Sequence, residues 1–141
     1  MSSISAVIPA YNEERIIAST AEAVDETLAR LVDDHEVIVV NDGSRDATPQ
    51  IVEALGRQRP TVRLVSHAVN SGYGAALATG FAAASREYIF LTDGDRQFDV
   101  RELEGFLPRL ATADIIVGYR KPRADPWQRR FFGWGWNLLV N

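Results

Sequence analysis

The sequence predicts an α/β fold in which a mostly parallel sheet carries helices on both faces. Five short runs of β-branched and apolar residues recur along the chain, at 3–9, 36–40, 62–66, 88–92 and 114–118. Helical patterns lie between successive runs, and parallel strands require such crossovers. Polar residues follow several of the runs directly, as ligand-binding residues do at the carboxyl ends of parallel strands.

The helices are predicted from apolar periodicity and from residues typical of helix starts. Residues 13–31 carry apolar side chains at three- and four-residue steps. Thr48 followed by Pro49 is a cap and a first-turn proline, which predicts a helix to about Gln58. Residues 71–85 start with glycines and become alanine-rich, so a loop turning into a helix is expected. Asp99 is expected to cap a last helix, with these side chains inward: Val100, Leu103, Phe106, Leu107 and Leu110.

Composition and charge limit the possible functions. The 141 residues are 46% apolar and 24% charged, as in a single soluble domain, and contain no cysteine, which excludes disulfides and thiolate sites. No signal peptide is visible, and the apolar stretch 131–140 is too short to span a bilayer, so a cytoplasmic location is expected. Residues 1–118, the predicted core, contain 10 arginines against 18 acidic residues, which argues against nucleic-acid binding. Residues 119–141 form a separate basic and aromatic segment.

The most informative motif follows the fourth predicted strand. Asp93, Asp95 and Gln97 lie at alternate positions, so their oxygens can face one side of an extended segment. Clustered oxygen ligands suit Mg²⁺ or Mn²⁺ held jointly with a substrate diphosphate. The alternative is a plain turn in which Asp99 caps the next helix. A calcium loop is excluded because Phe98 stands where that loop requires glycine.

Other loops should meet this motif at the same rim of the sheet. Residues 11–13 follow the first predicted strand, and Asn41 to Ser44 follow the second. Helix initiation at Asn12 and a plain turn at 41–44 are the alternatives, and both are compatible with ligand binding. Gly72 belongs to a glycine loop that would let backbone approach a nucleotide; its position after the third strand argues against a dinucleotide fingerprint. His35 and His67 look isolated and are interpreted as structural or surface residues.

Four motifs in this order resemble a known family: 8–14 (IPAYNEE), 39–44 (VVNDGS), 70–72 (NSG) and 92–97 (TDGDRQ). They are similar to the inverting glycosyltransferases of the GT-A fold, a Rossmann-like fold, in the large family that includes dolichyl- and polyprenyl-phosphate sugar synthases. The resemblance implies a hexosyltransferase-type enzyme with a UDP- or GDP-linked sugar donor. It also implies a metal held by Asp93, Asp95 and Gln97, with Asp95 acting in catalysis. It further implies these donor-binding residues: Pro9, Tyr11, Glu13, Asp42, Gly72 and Asp93.

The basic segment is consistent with a lipid acceptor. The resemblance implies that Arg120, Arg129 and Arg130 bind the acceptor phosphate of a polyprenyl lipid, with Arg120 and Arg130 also contributing to catalysis. Five of the thirteen aromatic residues lie within 127–136, among these arginines, as in a peripheral segment at the cytoplasmic face of a membrane. The alternative is a core or dimer-contact helix, and a homo-oligomer remains open.

The sequence also departs from the family pattern in its length. Family members normally continue into a second half that completes the acceptor site, so this chain is expected to be an N-terminal, donor-binding part. Two other functions therefore stay open. One is a glycosyltransferase with a soluble sugar or saccharide acceptor, and the other is a non-catalytic nucleotide-binding module.

Overall fold

The computed structural model of the chain describes residues 2–93 and 99–118. Strands and helices alternate from the start: β1 (Ser3–Ala10), α1 (Ile17–Leu31), β2 (Asp34–Asn41), α2 (Thr48–Gln58), β3 (Val62–Ser66), α3 (Tyr73–Ala83) and β4 (Tyr88–Leu91). Two short 3₁₀ helices follow, Val100–Gly105 and Leu107–Arg109. The four strands of the described residues form one sheet in the order β3-β2-β1-β4, and every neighbouring pair is parallel. The predicted α/β architecture is confirmed.

The sheet is covered by helices on both faces. Val7, Ile38 and Val40 point to one face and pack with Ala76 of α3. Alternate residues of a strand face opposite sides, so Val37 and Val39 lie on the other face, where α1 and α2 pack. Both valines are fully buried, as expected for the central strand of a parallel sheet. The four strands and three α-helices belong to one compact unit, Met1–Gly105, and the described residues 106–118 belong to a second.

The predicted start of α1 at residue 13 is wrong. The helix begins at Ile17, and Ile16 rather than Asn12 occupies the cap position. Asn12 has a positive φ of 56°. The N–H groups of Asn12, Glu13 and Glu14 donate to the side chains of Ser44, Thr48 and Asp46, respectively. Thr48 is likewise the first residue of α2 and not its cap. Long-range contacts, which apolar periodicity does not reveal, hold the residues before α1. At the start of α2, the N–H and the hydroxyl of Thr48 both donate to Asp46 Oδ1.

The elements predicted after β4 also differ. Asp99 accepts a hydrogen bond from the N–H of Arg101, as a cap does, but the turns that follow are 3₁₀ and not α-helical. Pro108 lies four residues after Glu104 and has no N–H to donate to its carbonyl, which stops an α-helix there. Of the five predicted inward side chains, Val100 and Leu103 are buried and the other three are half-buried.

The predicted fifth strand at 114–118 is not formed. These residues adopt no regular secondary structure, and Ile115 and Val117 are 81% and 78% exposed. β-Branched residues favour a strand only where a neighbouring strand and burial stabilise it, and no such burial surrounds this run.

Glu36 anchors the amino end of the sheet and makes stability depend on pH. Its Oε1 accepts hydrogen bonds from Ser5 and Ser85, and its Oε2 accepts one from Arg63. Burial alone would raise the pKa of Glu36, but these donors outweigh it and lower the pKa to about 2 from 4.5. A lowered pKa means that the stabilisation is complete above pH 4.5 and is lost as pH falls towards 2.

We therefore expect Glu36→Gln to cost up to about 3 kcal/mol of unfolding free energy at pH 7. The difference between the variant and the native protein should shrink steadily between pH 4.5 and 2, because the amide does not titrate. Urea unfolding at four pH values measures it. A difference that stays constant over this range would contradict the assignment.

Candidate functional site

One cavity of about 390 Å³ opens at the carboxyl ends of β1, β2 and β4. It brings together all six residues predicted to bind a nucleotide sugar: Pro9, Tyr11, Glu13, Asp42, Gly72 and Asp93. Ala10, Asn70, Tyr73 and Ala76 complete its lining. The sheet topology explains this convergence, since parallel strands end at one rim and their loops meet there.

Two loops of the rim are joined by hydrogen bonds in both directions. The Asn12 N–H donates to Ser44 Oγ at 2.9 Å, and Asn12 Oδ1 accepts from the Arg45 N–H at 2.9 Å. The Glu13 N–H donates to Thr48 Oγ1 at 2.9 Å, so Glu13 is held from its backbone while its side chain lines the cavity. This pairing fixes the loop after β1 against the loop after β2. It positions Tyr11, a residue that is 43% exposed, beside the cavity.

Asp42 is a buried carboxylate with an exceptional set of donors. Its Oδ1 accepts from the Ser71 N–H at 2.8 Å and from His67 Nδ1 at 2.7 Å, and its Oδ2 accepts from the Gly72 N–H at 2.8 Å. Burial would raise the pKa of Asp42, but the hydrogen bonds from Ser71, His67 and Gly72 outweigh it, and the pKa lies below the usual value. Asp42 is therefore ionised at neutral pH.

Gly43 allows the β2 loop to lie directly against the loop after β3. Its φ is +67°, a conformation that suits glycine, and a Cβ there would overlap backbone atoms of Val69 and Asn70. Gly72 also has a positive φ, of +91°, but a Cβ there would meet nothing within 4 Å. Its backbone therefore remains open to a ligand in the cavity that it lines.

His67 was missed by the sequence analysis as a neighbour of the site. It looks isolated in the sequence, yet it contacts Asp42 through Nδ1 and Thr79 through Nε2, at 2.8 Å. Its interpretation as a structural residue agrees with these contacts, as does that of His35, whose Nε2 lies 2.9 Å from Asp25 Oδ1. The one sequence signal for a position near the site is that His67 directly follows a strand, as Asp42 does.

Asp93 lies at the edge of the cavity and is the one predicted metal ligand within the described residues. Its Oδ1 accepts a hydrogen bond from the Tyr73 hydroxyl at 2.9 Å. Partial burial and the Asp93 carboxylate both raise the pKa of Tyr73. Within 2–93 and 99–118, no three acidic or histidine side chains form a cation site. The other predicted ligands and catalytic or acceptor residues lie outside the described ranges: Asp95, Gln97, Arg120, Arg129 and Arg130.

Among the predicted metal ligands, Asp93 is the one that the structure describes, and its chemistry fits a divalent cation. Asp93 supplies a carboxylate oxygen, the ligand type that Mg²⁺ and Mn²⁺ prefer. Its residue is exposed at the cavity, so a cation bound to it would also be accessible to a diphosphate there. A second, more open groove of about 470 Å³ lies between α2 and β3 and is lined by Glu53, Arg57 and Arg63 among others. It lies along the edge strand β3 and contains none of the predicted site residues.

The sequence profile described as glycosyl transferase family 2 matches residues 5–138. The chain belongs to this family. A dolichyl-phosphate beta-glucosyltransferase of Trichomonas vaginalis is 33% identical over 152 residues, covering 95% of this chain and 45% of that protein. A dodecaprenyl-phosphate galacturonate synthase of Rhizobium johnstonii is 33% identical over 143 residues, covering 97% of this chain and 42% of that protein.

Solved structures confirm the GT-A-like fold of this family 2 chain. The mannosyltransferase PcManGT of Pyrobaculum calidifontis, in complex with GDP-Man and Mn²⁺, superposes with a TM-score of 0.66 at 26% identity, over 86% of this chain and 36% of that one. Glucosyl-3-phosphoglycerate synthase of Mycobacterium tuberculosis, in complex with Mn²⁺, UDP and glucosyl-3-phosphoglycerate, superposes with a TM-score of 0.58 at 31% identity, over 80% of this chain and 41% of that one.

The chain spans less than half the length of the curated relatives above. None of the helices in residues 2–93 and 99–118 has the length and hydrophobicity that crossing a bilayer would require.

Proposed function

We propose that this chain binds a nucleotide sugar in the rim cavity and serves as the donor-binding part of an inverting glycosyltransferase that transfers the sugar to a polyprenyl phosphate. The observation that carries the proposal is the single cavity lined by all six predicted donor residues. They come from four separate segments of the chain, so their convergence depends on the fold. Pocket residues converging at the carboxyl rim of an α/β sheet are the usual arrangement of a nucleotide site.

The lining of the cavity offers different chemistry to the base and to the diphosphate of a donor. Asp42 and Tyr11 supply a carboxylate and an aromatic ring, which suit the donor's base. Asp93 accepts a hydrogen bond from the hydroxyl of Tyr73, the first residue of α3. The N-terminus of a helix carries partial positive charge and free N–H groups, which favour a diphosphate. The nucleotide is therefore proposed to lie with its base towards Asp42 and its diphosphate towards Asp93.

A divalent cation belongs to the proposed reaction. Asp93, Asp95 and Gln97 are its proposed ligands, with Asp95 the catalytic one, and both structures compared above contain Mn²⁺. When bound, Mg²⁺ or Mn²⁺ would offset the negative charge that builds on the departing nucleoside diphosphate. The Tyr73 hydroxyl holds the Asp93 carboxylate in place at the cavity edge.

This part of the proposal is tested by thermal unfolding with Mn²⁺ and UDP or GDP. A ligand at about 100 times its Kd should add about 2.7 kcal/mol, which is a rise in Tm of roughly 5–10 °C for a domain of this size. Asp95→Asn should remove most of the increment. The matched control is Asp33→Asn, because Asp33 is an exposed aspartate just before β2 and so lies at the opposite rim of the sheet. This variant should keep the increment in Tm. An equal increment in both variants would remove the metal role of Asp95.

The proposed acceptor is a polyprenyl phosphate at the cytoplasmic face of the membrane. The two relatives named above act, by their names, on dolichyl phosphate and dodecaprenyl phosphate. Arg120, Arg129 and Arg130 are the proposed phosphate partners, with Arg120 and Arg130 also assisting catalysis, because guanidinium groups pair well with phosphate oxygens. The aromatic residues among them would sit at the membrane interface.

The acceptor is tested by flotation with vesicles that contain polyprenyl phosphate. Replacing both Arg129 and Arg130 with serine should weaken binding roughly 30-fold, at about 1 kcal/mol for each basic residue near an anionic surface. Replacing the exposed Arg57 and Arg109 makes the same change in charge elsewhere and should have a smaller effect. If both double variants float equally well, the arginines do not bind the lipid.

A soluble acceptor is the second candidate. It is favoured by the similarity to glucosyl-3-phosphoglycerate synthase, whose crystallised product is glucosyl-3-phosphoglycerate. In that case the donor cavity serves the same role, and only the acceptor differs.

A further inference from the structure

A chain of hydrogen bonds leads from the cavity into the protein through His67. This residue directly follows β3, and its ring is held at both nitrogens, by Asp42 of the β2 loop and Thr79 of α3. An ionised carboxylate only accepts hydrogen bonds, so His67 Nδ1 carries a proton and donates it to Asp42 Oδ1. The His67 side chain is 17% exposed and the Asp42 side chain 6% exposed. The contact is therefore a largely buried one between fixed elements.

The donors around Asp42 use up most of its accepting capacity. Each carboxylate oxygen has two lone-pair positions. On Oδ1 both are taken, by the Ser71 N–H and by His67. On Oδ2 one is taken, by the Gly72 N–H. Asp42 lines the cavity, so its contacts with the residues that the structure describes leave a ligand there one accepting position and not two.

We propose that His67, held by Thr79, is a positioning residue that leaves Asp42 a single accepting position in the cavity, so that the site selects uracil among the RNA bases. The inference rests on the proposed function and names the nucleotide of that same site. His67 acts through Asp42 and does not touch the nucleotide itself.

The four RNA bases differ in the donors that they can present to such a carboxylate. Uracil has one ring N–H, at N3, between two carbonyl oxygens, which matches one accepting position. Cytosine has no hydrogen on N3, and its lone pair would face the carboxylate. Guanine presents two adjacent donors, N1–H and N2–H, and one of them would lack a partner on Asp42. Adenine has no ring N–H on its pairing edge. A buried polar group left without a partner costs affinity.

The experiment is a calorimetric titration of the native protein with UDP, CDP and GDP in the presence of Mn²⁺. CDP is the matched control for UDP, because it keeps the ring size, ribose and diphosphate and lacks the N3–H. We expect UDP to bind at least about tenfold more tightly than CDP and GDP, as one hydrogen bond to a charged group predicts. Equal or tighter binding of CDP or GDP would overturn the selection and leave the donor site standing. Failure of all three to bind would overturn the proposed function as well.

Two pairs of variants test the role of His67. His67→Asn places an amide N–H near the position of Nδ1 and can keep the bond to Asp42, whereas His67→Gln reaches the position of Nε2 and keeps only the contact with Thr79. The ratio of UDP to GDP affinity should fall at least about threefold further in His67→Gln than in His67→Asn, because loss of the bond from Nδ1 frees a second accepting position on Asp42 for guanine's second donor. Thr79→Val should lower the ratio more than Thr79→Ser, which keeps the hydroxyl.

This ratio is a readout that general loosening of the fold would not move, since loosening weakens both nucleotides alike. An unchanged ratio in His67→Gln would refute the positioning role. If a variant does not fold, the comparison of UDP, CDP and GDP on the native protein still decides the selectivity.

Discussion

Gly43→Ala should destabilise the protein by about 3 kcal/mol or more and abolish nucleotide binding. A φ of +67° costs an L-residue about 1–2 kcal/mol. The added methyl group would also overlap the backbone of Val69 and Asn70, which cannot rotate away as a side chain could. The β2 loop would have to separate from residues 69–72, and the bonds from Ser71 and Gly72 to the Asp42 carboxylate would break.

Gly74→Ala is the matched control for this substitution. Gly74 lies in the first turn of α3, has no positive φ, and a Cβ there would meet nothing within 4 Å. Alanine should be neutral at this position or should stabilise the helix by up to about 1 kcal/mol. Urea unfolding of the two variants measures the contrast. A Gly43→Ala protein as stable as Gly74→Ala would show that the two loops do not pack as described.

The second large effect is expected for Asp42→Asn. An amide has one oxygen and one NH₂ group, so in either orientation the NH₂ would face an N–H donor that the carboxylate now satisfies. We expect a loss of about 1–3 kcal/mol in unfolding free energy from the unpaired group. Nucleotide affinity should fall as well, because Asp42 lines the cavity and its donors set the loop around it.

The pH dependence separates this effect from a simple packing defect. The pKa of Asp42 is lowered in the fold, so its stabilisation is present above its usual value of 3.8 and is lost as pH falls below it. The native protein should lose this contribution in acid, and Asp42→Asn should not. Urea unfolding at pH 7 and pH 3 measures both proteins, and a penalty of the same size at both pH values would argue against an ionised, hydrogen-bonded Asp42.

The central sheet could be predicted from the sequence because its residues follow simple periods. The bounds of β3 and the span of α2 agree with prediction, since a β-branched run between loop residues and a first-turn proline are local signals. The start of α1 could not be predicted in this way. The side chains of Ser44, Asp46 and Thr48 bind the backbone of residues 12–14, and these partners lie more than thirty positions away in the sequence.

The predicted fifth strand fails for a related physical reason. The run at 114–118 has suitable residues, but a strand needs a partner and burial, which composition does not supply. At the candidate site, the rim residues were predictable because loops after parallel strands must converge. The contact between His67 and Asp42 was not, since no spacing rule relates a residue after β3 to one after β2.

The most direct test of the account is a crystal structure of the protein with UDP and Mn²⁺. The account predicts nucleotide density in the rim cavity, with the base at Asp42 and the diphosphate at Asp93, beside the start of α3. A nucleotide bound in the groove between α2 and β3, or a diphosphate turned away from Asp93, would contradict it.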